Sequence, residues 1–368
     1  MKEKEREEGL HAAAPRRKKK KRMSVGRMIL LDLAVIIAGL LVFALFHHVL
    51  EYAGIRLYKE SEPVVLTTLA PPSTPAPVST PEPAAPAESP SADEPEPTAE
   101  PEPVRVYSGM WGEKFADKFT DGEVIQTENS YQSAHVNVSY ERIESDGVIY
   151  YVADVYVSDL GYLRSGFANG KYNGGFKMLG DMAAEANAIV AICGDHYGGR
   201  SEGVVVRDGV LYRETRFADV CVLLSDGTMV TLTNAELDLD DLKAAAPWQV
   251  WSFGPELLDD EGKALTSFNS IVLPNNPRSA IGYYEPGHYC LVEVEGTRPG
   301  YYSGSRGMKM QELAELFESL GCRSAYNLDG GQSVGFAWMG ELISFPYNRS
   351  IPDMIYVTDV LPEAEGEG

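Results

Sequence analysis

The sequence predicts an α+β fold, a single domain with a mixed β-sheet and a few helices, preceded by a transmembrane helix and a disordered stalk. Three observations predict it. From about residue 107 onward, short apolar runs recur between Asp-Gly and other turn signals. Few stretches in that region carry the 3.6-residue apolar period of a helix. The first hundred residues, by contrast, pass from basic to apolar to proline-rich composition without any strand pattern.

Residues 1–27 form a basic tail, with 11 Lys/Arg against 4 Asp/Glu and an unbroken basic run from Arg16 to Arg22. Residues 28–50 are apolar apart from Asp32 and the pair His47-His48, and 18 residues separate Asp32 from the next charge, Glu51. That length is roughly what a bilayer needs once flanks are counted. No small-residue cleavage site follows it, so the segment reads as an uncleaved signal-anchor. The basic tail then stays cytoplasmic and the C-terminal domain lies outside the cell, in a single-pass arrangement. Residues 51–103 are dominated, from about Ser61, by Pro, Ala, Glu, Ser and Thr. They read as an extended stalk that cannot bury enough apolar surface to fold. The folded domain is expected over 104–361, with an acidic tail at 362–368.

Within the domain, Val136–Ile143 alternates, Ser145-Asp146-Gly147 breaks the run, and Val148–Val157 resumes it, as a hairpin requires. Met178–Ala188 reads as a helix and Ala188–Ile192 as a fully buried strand. Val204–Tyr212 turns at Asp208-Gly209, and Val220–Leu224 with Met229–Leu232 flank Asp226-Gly227. Leu313, Leu316, Phe317 and Leu320 make one apolar stripe, so Met310–Leu320 is a helix that Gly321 stops. Ser324–Leu328 runs as a strand into Asp329, and Met354–Thr358 is the last strand. Trp248 and Trp251 read as core aromatics.

The tail's net +7 leaves −29 on the remainder of a chain whose total is −22. Such an acidic body excludes nucleic acid as a partner. Cys193, Cys221, Cys290 and Cys322 show no CxxC spacing, which argues against a thiolate zinc site. Three full disulfide pairings and free buried thiols all stay open. The three histidines of the body, His135, His196 and His288, are far apart, so no metal or cofactor is expected.

Five turn-like clusters carry polar residues that a plain hairpin does not need. They are Cys193–Tyr197, Phe253–Glu256, Pro277–Gly282, Asn327–Ser333 and Asn348-Arg349. A cleft lined by Asp195, Arg278, Asp329 and Arg349 would pair two carboxylates with two guanidiniums. Guanidiniums bind phosphate and a carboxylate can act at a sugar carbon, so the mixture suits a phosphorylated saccharide. Gly330 and Gly331 let the main chain approach a ligand and offer it N–H donors.

In order, these clusters resemble the phosphodiester glycosidase family from about Val152 to Val357. The residues that carry the likeness are Ala191-Ile192-Cys193-Gly194-Asp195-His196-Tyr197, Gly203–Gly209, Phe253-Gly254-Pro255, Pro277–Gly282, Glu312-Leu313-Ala314, Asn327-Leu328-Asp329-Gly330-Gly331-Gln332-Ser333 and Asn348-Arg349. The family usually has Asn where Cys193 stands, a hydroxyl residue at the position of Lys309, and a third Gly in place of Gln332. Its usual Asp-Gly-Arg looks like Glu295-Gly296-Thr297 here.

The resemblance implies a hydrolase that cleaves a sugar-1-phosphodiester; joined to the signal-anchor and stalk read above, it gives a membrane-anchored enzyme acting on envelope glycans or exopolysaccharide. Asp329, Asp195 and Arg278 would be catalytic, with the division of labour between the two aspartates left open. Gly330, Gly331, Ser333, Asn327, Arg349, Gly194 and His196 would bind substrate. The alternative is a non-catalytic glycan-binding module held on a stalk.

Overall fold

The computed structural model describes residues 25–44, 62–69 and 109–361. Residues 1–24 of the basic tail, residues 45–50 of the expected anchor, most of the expected stalk and the acidic tail lie outside those residues. Residues up to Glu60 form one unit and the chain from Ser61 another. In the first unit, α1 (Val25–Ala44) is a 20-residue helix whose Leu33, Ile36 and Leu40 are exposed. Among the described residues no helix is long and apolar enough to cross a membrane. The anchor expected over residues 28–50 is therefore not seen as a span. Arg27 and Asp32 leave only residues 33–44 as an unbroken apolar helix. That is about 18 Å at 1.5 Å per residue, against the ~30 Å of a hydrocarbon core.

The second unit begins inside the expected stalk. Residues 62–69 are ordered against the domain, and β1 (Val64–Val65) pairs with the later strand segment Val210-Leu211. An apolar Val-Val-Leu run just ahead of the proline-rich stretch makes this possible. In chain order the strands then run β2 (Ile125–Gln126), β3 (Ser130–Gln132), β4 (Val136–Ser145), β5 (Val148–Val157) and β6 (Leu163–Phe167). Helix α2 (Leu179–Glu185) leads to β7 (Val190–Cys193), β8 (Gly203–Arg207), β9 (Val210–Thr215), β10 (Val220–Leu224) and β11 (Met229–Leu232). After α3 (Leu239–Ala244) come β12 (Pro247–Trp251), β13 (Arg278–Glu285) and β14 (His288–Val294). Helix α4 (Met310–Ser319), β15 (Ser324–Asn327), β16 (Phe336–Trp338), β17 (Glu341–Leu342) and β18 (Asp353–Val357) complete it.

The expected mixed sheet is corrected to three sheets in which every described strand pairing is antiparallel. Their strand orders are β1-β9-β8-β12-β10-β11, β15-β13-β14-β5-β4-β3-β2 and β17-β16-β7-β18-β6. Their inner faces share one core: Leu223 and Trp251 from the first, Val155 and Leu291 from the second, Ile192, Phe336 and Ile355 from the third. Each outer face is covered by one helix. Leu313 and Phe317 of α4 pack on Cys290 and Val292. Leu179 and Met182 of α2 pack on Ala191 and Met354, and Leu242 of α3 packs on Val206, Val222 and Val250. Strands buried on both faces lose the alternation of a half-solvated sheet. This explains why Pro277–Gly282, read as a turn cluster, is mostly β13.

Candidate active site

The C-terminal ends of β7 and β15 meet the start of β18, and the polar clusters converge there. The Asp329 N–H donates to the Gly194 carbonyl (3.0 Å), Leu328 N–H to Ser279 (2.8 Å) and Gly331 N–H to Pro277 (3.0 Å). The Cys193 thiol donates to the Asp329 carbonyl at 2.9 Å. The Asp329–Gly331 backbone is thus tied to two sheets. Gly331 sits at φ +67° and Gly330 passes so close to Pro277 that a Cβ would lie 2.7 Å from its carbonyl oxygen. Both positions need glycine.

His196 follows β7 in the left-handed conformation, φ 57° and ψ 33°. A histidine pays strain for that geometry, and Asp353 supplies the compensation. Its carboxylate accepts the N–H groups of Asp195 and His196, each at 3.3 Å. Arg207 in turn holds Asp353 Oδ2 and Asp195 Oδ1, both at 2.9 Å from Nη2. All three charged groups are buried. Two carboxylates thus share one guanidinium. Burial and the Asp195 charge push Asp353 up to about 7. Burial also works against Asp195, but Arg207, the Ser252 amide and Arg200 outweigh it and hold its carboxyl below the usual range.

So placed, the His196 ring bridges two residues that are distant in sequence. Nδ1 lies 3.4 Å from Asp329 Oδ2, and Nε2 lies 3.2 Å from Arg349 Nη2. Burial lowers the imidazole pKa; Asp329 opposes this, while Arg349 and Arg200 reinforce it. The ring is neutral near pH 7. Arginine can only donate, so Nε2 accepts and the ring proton sits on Nδ1, facing Asp329. Asp329 keeps 9% of its side chain exposed, His196 17%, and Arg349 is on the surface.

Arg298 completes the cluster and was not singled out from sequence. Its Nη1 donates to Asn276 Oδ1 at 2.8 Å, while its buried Nε has no hydrogen-bond partner. A Cβ on Gly331 would lie 3.9 Å from that Nε, so the guanidinium flanks the glycine turn. Arg207 and Asp353 were missed as well. The one available signal was an arginine ending the run Val204-Val205-Val206, since a buried guanidinium demands acidic partners.

Two expected catalytic residues are corrected. Asp195 is wholly buried, one oxygen on Arg207 and the other 2.7 Å from the Ser252 amide, so it supports the site from behind. Arg278 is 2% exposed and gives its N–H groups to the carbonyls of Met308 (3.1 Å) and Pro274 (2.8 Å). Burial lowers its pKa to about 10. It braces the 273–276 loop instead of facing a phosphate. Asn327 donates its Nδ2 to the Gly254 carbonyl (2.8 Å) while its buried Oδ1 has no hydrogen-bond partner, and Gly194 makes room for the Asp353 carboxylate. Ser333 is buried with its hydroxyl unpartnered. Among the described residues no group of three or more His, Cys, Asp and Glu could hold a metal ion.

Residues 185–358, which contain this cluster, match the family model described as phosphodiester glycosidase. The matched stretch is similar to that family over 174 of the chain's 368 residues. A prophage-derived uncharacterized protein YomE of Bacillus subtilis is 31% identical over 172 residues, covering 44% of this chain and 26% of the relative. N-acetylglucosamine-1-phosphodiester alpha-N-acetylglucosaminidase from Bos taurus is 27% identical over 196 residues, 50% of this chain and 33% of that protein. The Homo sapiens protein of that name is 26% identical over 196 residues, 50% of this chain and 34% of it. The chain therefore spans about a quarter to a third of the length of these curated relatives. The solved catalytic domain of the zebrafish enzyme, auto-inhibited by its pro-peptide, is similar at 21% identity and a TM-score of 0.49, covering 61% of this chain and 83% of that one. The stretch that matches the family model runs from the end of α2 to the end of β18 and so takes in Asp329, His196, Arg298 and Arg349 alike.

Proposed function

We propose that this domain hydrolyses glycosyl phosphodiesters between the anomeric carbon and the phosphate oxygen. One observation carries the reading: Asp329 Oδ2 and His196 Nδ1 are both buried without a hydrogen-bond partner and face each other across 3.4 Å. Each orphaned polar atom costs about 1–3 kcal/mol, a cost that a bound substrate relieves. Asp329 acts at the anomeric carbon, as nucleophile or through a water it activates. Arg349 and Arg298 neutralise the departing phosphate. A phosphate monoester leaves readily, so the neutral His196 serves to orient Asp329 and needs no strong acidity. The full chain should release free sugar from an N-acetylglucosamine-1-phosphodiester, the bond named in the bovine and human relatives. Asp329→Asn should abolish release, and Arg349→Ala or Arg298→Ala should lower it by about 10²–10³ if each neutralises transition-state charge. Unchanged turnover in Asp329→Asn would reject the site. NMR of the first-formed anomer separates the two roles of Asp329, retention marking a nucleophile and inversion a base.

The substrate in this reading is an envelope glycan or exopolysaccharide, with the domain outside the cell and residues 28–50, of which the described helix covers only part, in the membrane. The support is the basic-then-apolar order of the first fifty residues. Protease added to intact cells should remove the domain; full protection would place it inside. The Cys193 thiol, where the family usually has Asn, favours a second reading as a glycan-binding module. Binding of the same phosphodiester by wild type, with no sugar released, would select it.

A further inference from the structure

We propose that Cys290 and Cys322 are a disulfide site that clamps the exit of α4 to the second sheet. The four cysteines are free and buried, and among the described residues only these two sulfurs are in contact, 3.6 Å apart. A disulfide needs about 2.05 Å, a gap that side-chain rotation closes if the backbones are already placed. Both are. Cys290 lies in the middle of β14, paired with Gly282 on one side and Asp154 on the other. Cys322 follows Gly321, which ends α4 at φ +79°. Its N–H reaches back to the Phe317 carbonyl at 3.1 Å, the six-to-one bond of a glycine-terminated helix.

A second observation points the same way. A Cβ on Gly282 would lie 2.6 Å from the Cys290 sulfur and 2.8 Å from that of Cys322. The bare glycine opens the space that the two sulfurs fill together. Cys193 and Cys221 have no such neighbour: one thiol is spent on the Asp329 carbonyl, and the other lies in the central core.

The step is a two-electron oxidation by a disulfide oxidant such as oxidised glutathione. One cysteine thiolate attacks the glutathione disulfide and expels one glutathione thiolate, giving a mixed disulfide. The second cysteine thiolate displaces the other glutathione. The Cys290–Cys322 bond forms, and the two cysteine protons end on the two glutathiones. Both thiols are shielded once α4 docks, so the exchange belongs to folding. The clamp lies two residues before β15, the strand that delivers Asp329, and so stiffens the approach to the site.

The full chain, refolded in a glutathione redox buffer, should lose 2 Da and leave two of its four thiols open to alkylation in denaturant. Peptide mapping should join the Cys290 and Cys322 peptides. Reductant should lower the melting temperature by roughly 5–10 °C, given a typical clamp of this kind. Cys322→Ala should melt alike with and without reductant. Four alkylated thiols, or a bridge to Cys193 or Cys221, would overturn the proposal.

Discussion

At Asp329 and His196 the chemistry depends on which group holds a proton. Burial and the nearby Arg349 and Arg200 lower the His196 pKa, while Asp329 raises it. The imidazole therefore charges only below its ordinary value of about 6.5, and the acid limb of the pH–activity profile should lie beneath that value. Arg349→Gln removes one depressing charge, so the limb should move to higher pH; an unmoved limb would detach His196 from the rate. Glu293 poses a different case. It faces the core from β14, fully buried, with neither carboxylate oxygen bonded. Burial, and secondarily Glu295, pushes its pKa far up. The native state keeps a proton that the unfolded chain releases above about 4.3, so this residue costs stability progressively as pH rises past that point. Glu293→Gln should raise the melting temperature at pH 7–8 and leave it unchanged near pH 4. A loss at both pH values would mean that the carboxyl has a partner. The sequence pointed to Asp329, His196 and Arg349 because their turn residues stood out. It misplaced Asp195, whose carboxylate turns inward to an arginine hidden in a valine run.

At the level of elements, β7, β8 and β18 are joined by the Asp195–Arg207–Asp353 cluster, and this junction sets the left-handed His196 turn. Removing the guanidinium in Arg207→Met leaves two buried carboxylates to repel each other. The expected loss is about 3–5 kcal/mol, read by denaturant unfolding. Asp353→Asn imitates the protonated form that Asp353 already adopts below about 7, so it should cost less than Arg207→Met. It should still weaken activity, because the Asp195 and His196 amides lose a charged acceptor. The native proton on Asp353 also lowers stability as pH climbs from about 4 toward 7, and Asp353→Asn should flatten that slope. Local elements were readable where turn chemistry was explicit. The Asp146-Gly147, Asp208-Gly209 and Asp226-Gly227 turns close β4–β5, β8–β9 and β10–β11 as expected. β12, β13 and the β16–β17 hairpin were not, since they carry no such alternation.

Across the whole folded unit, the least expected contact is the strap at residues 62–69. From composition, the domain should begin at residue 104, after a proline-rich spacer. Instead β1 extends the first sheet by pairing with β9, and Leu66 and Thr67 N–H both donate to the Gly209 carbonyl, at 2.8 and 3.2 Å. Leu66 packs on the outer core under α3, and Leu69 on the central core. Local composition cannot show this, because a two-residue strand gains its stability from a partner more than 140 positions away. Gly209 is essential to the contact: it turns at φ +76°, and a Cβ there would collide with the Thr67 carbonyl. Half-burying two leucines and making these bonds contributes about 2–4 kcal/mol. A chain of residues 61–368 should therefore melt roughly 5–10 °C above one of residues 104–368, and Gly209→Ala in the longer chain should lose most of that margin. Without the strap, β9 presents an unpaired edge, and such edges recruit other chains. Size-exclusion chromatography should then show the shorter chain associating as its concentration rises while the longer one stays at a single size. Equal melting temperatures and equal elution would mean that residues 62–69 lie against the sheet without stabilising it.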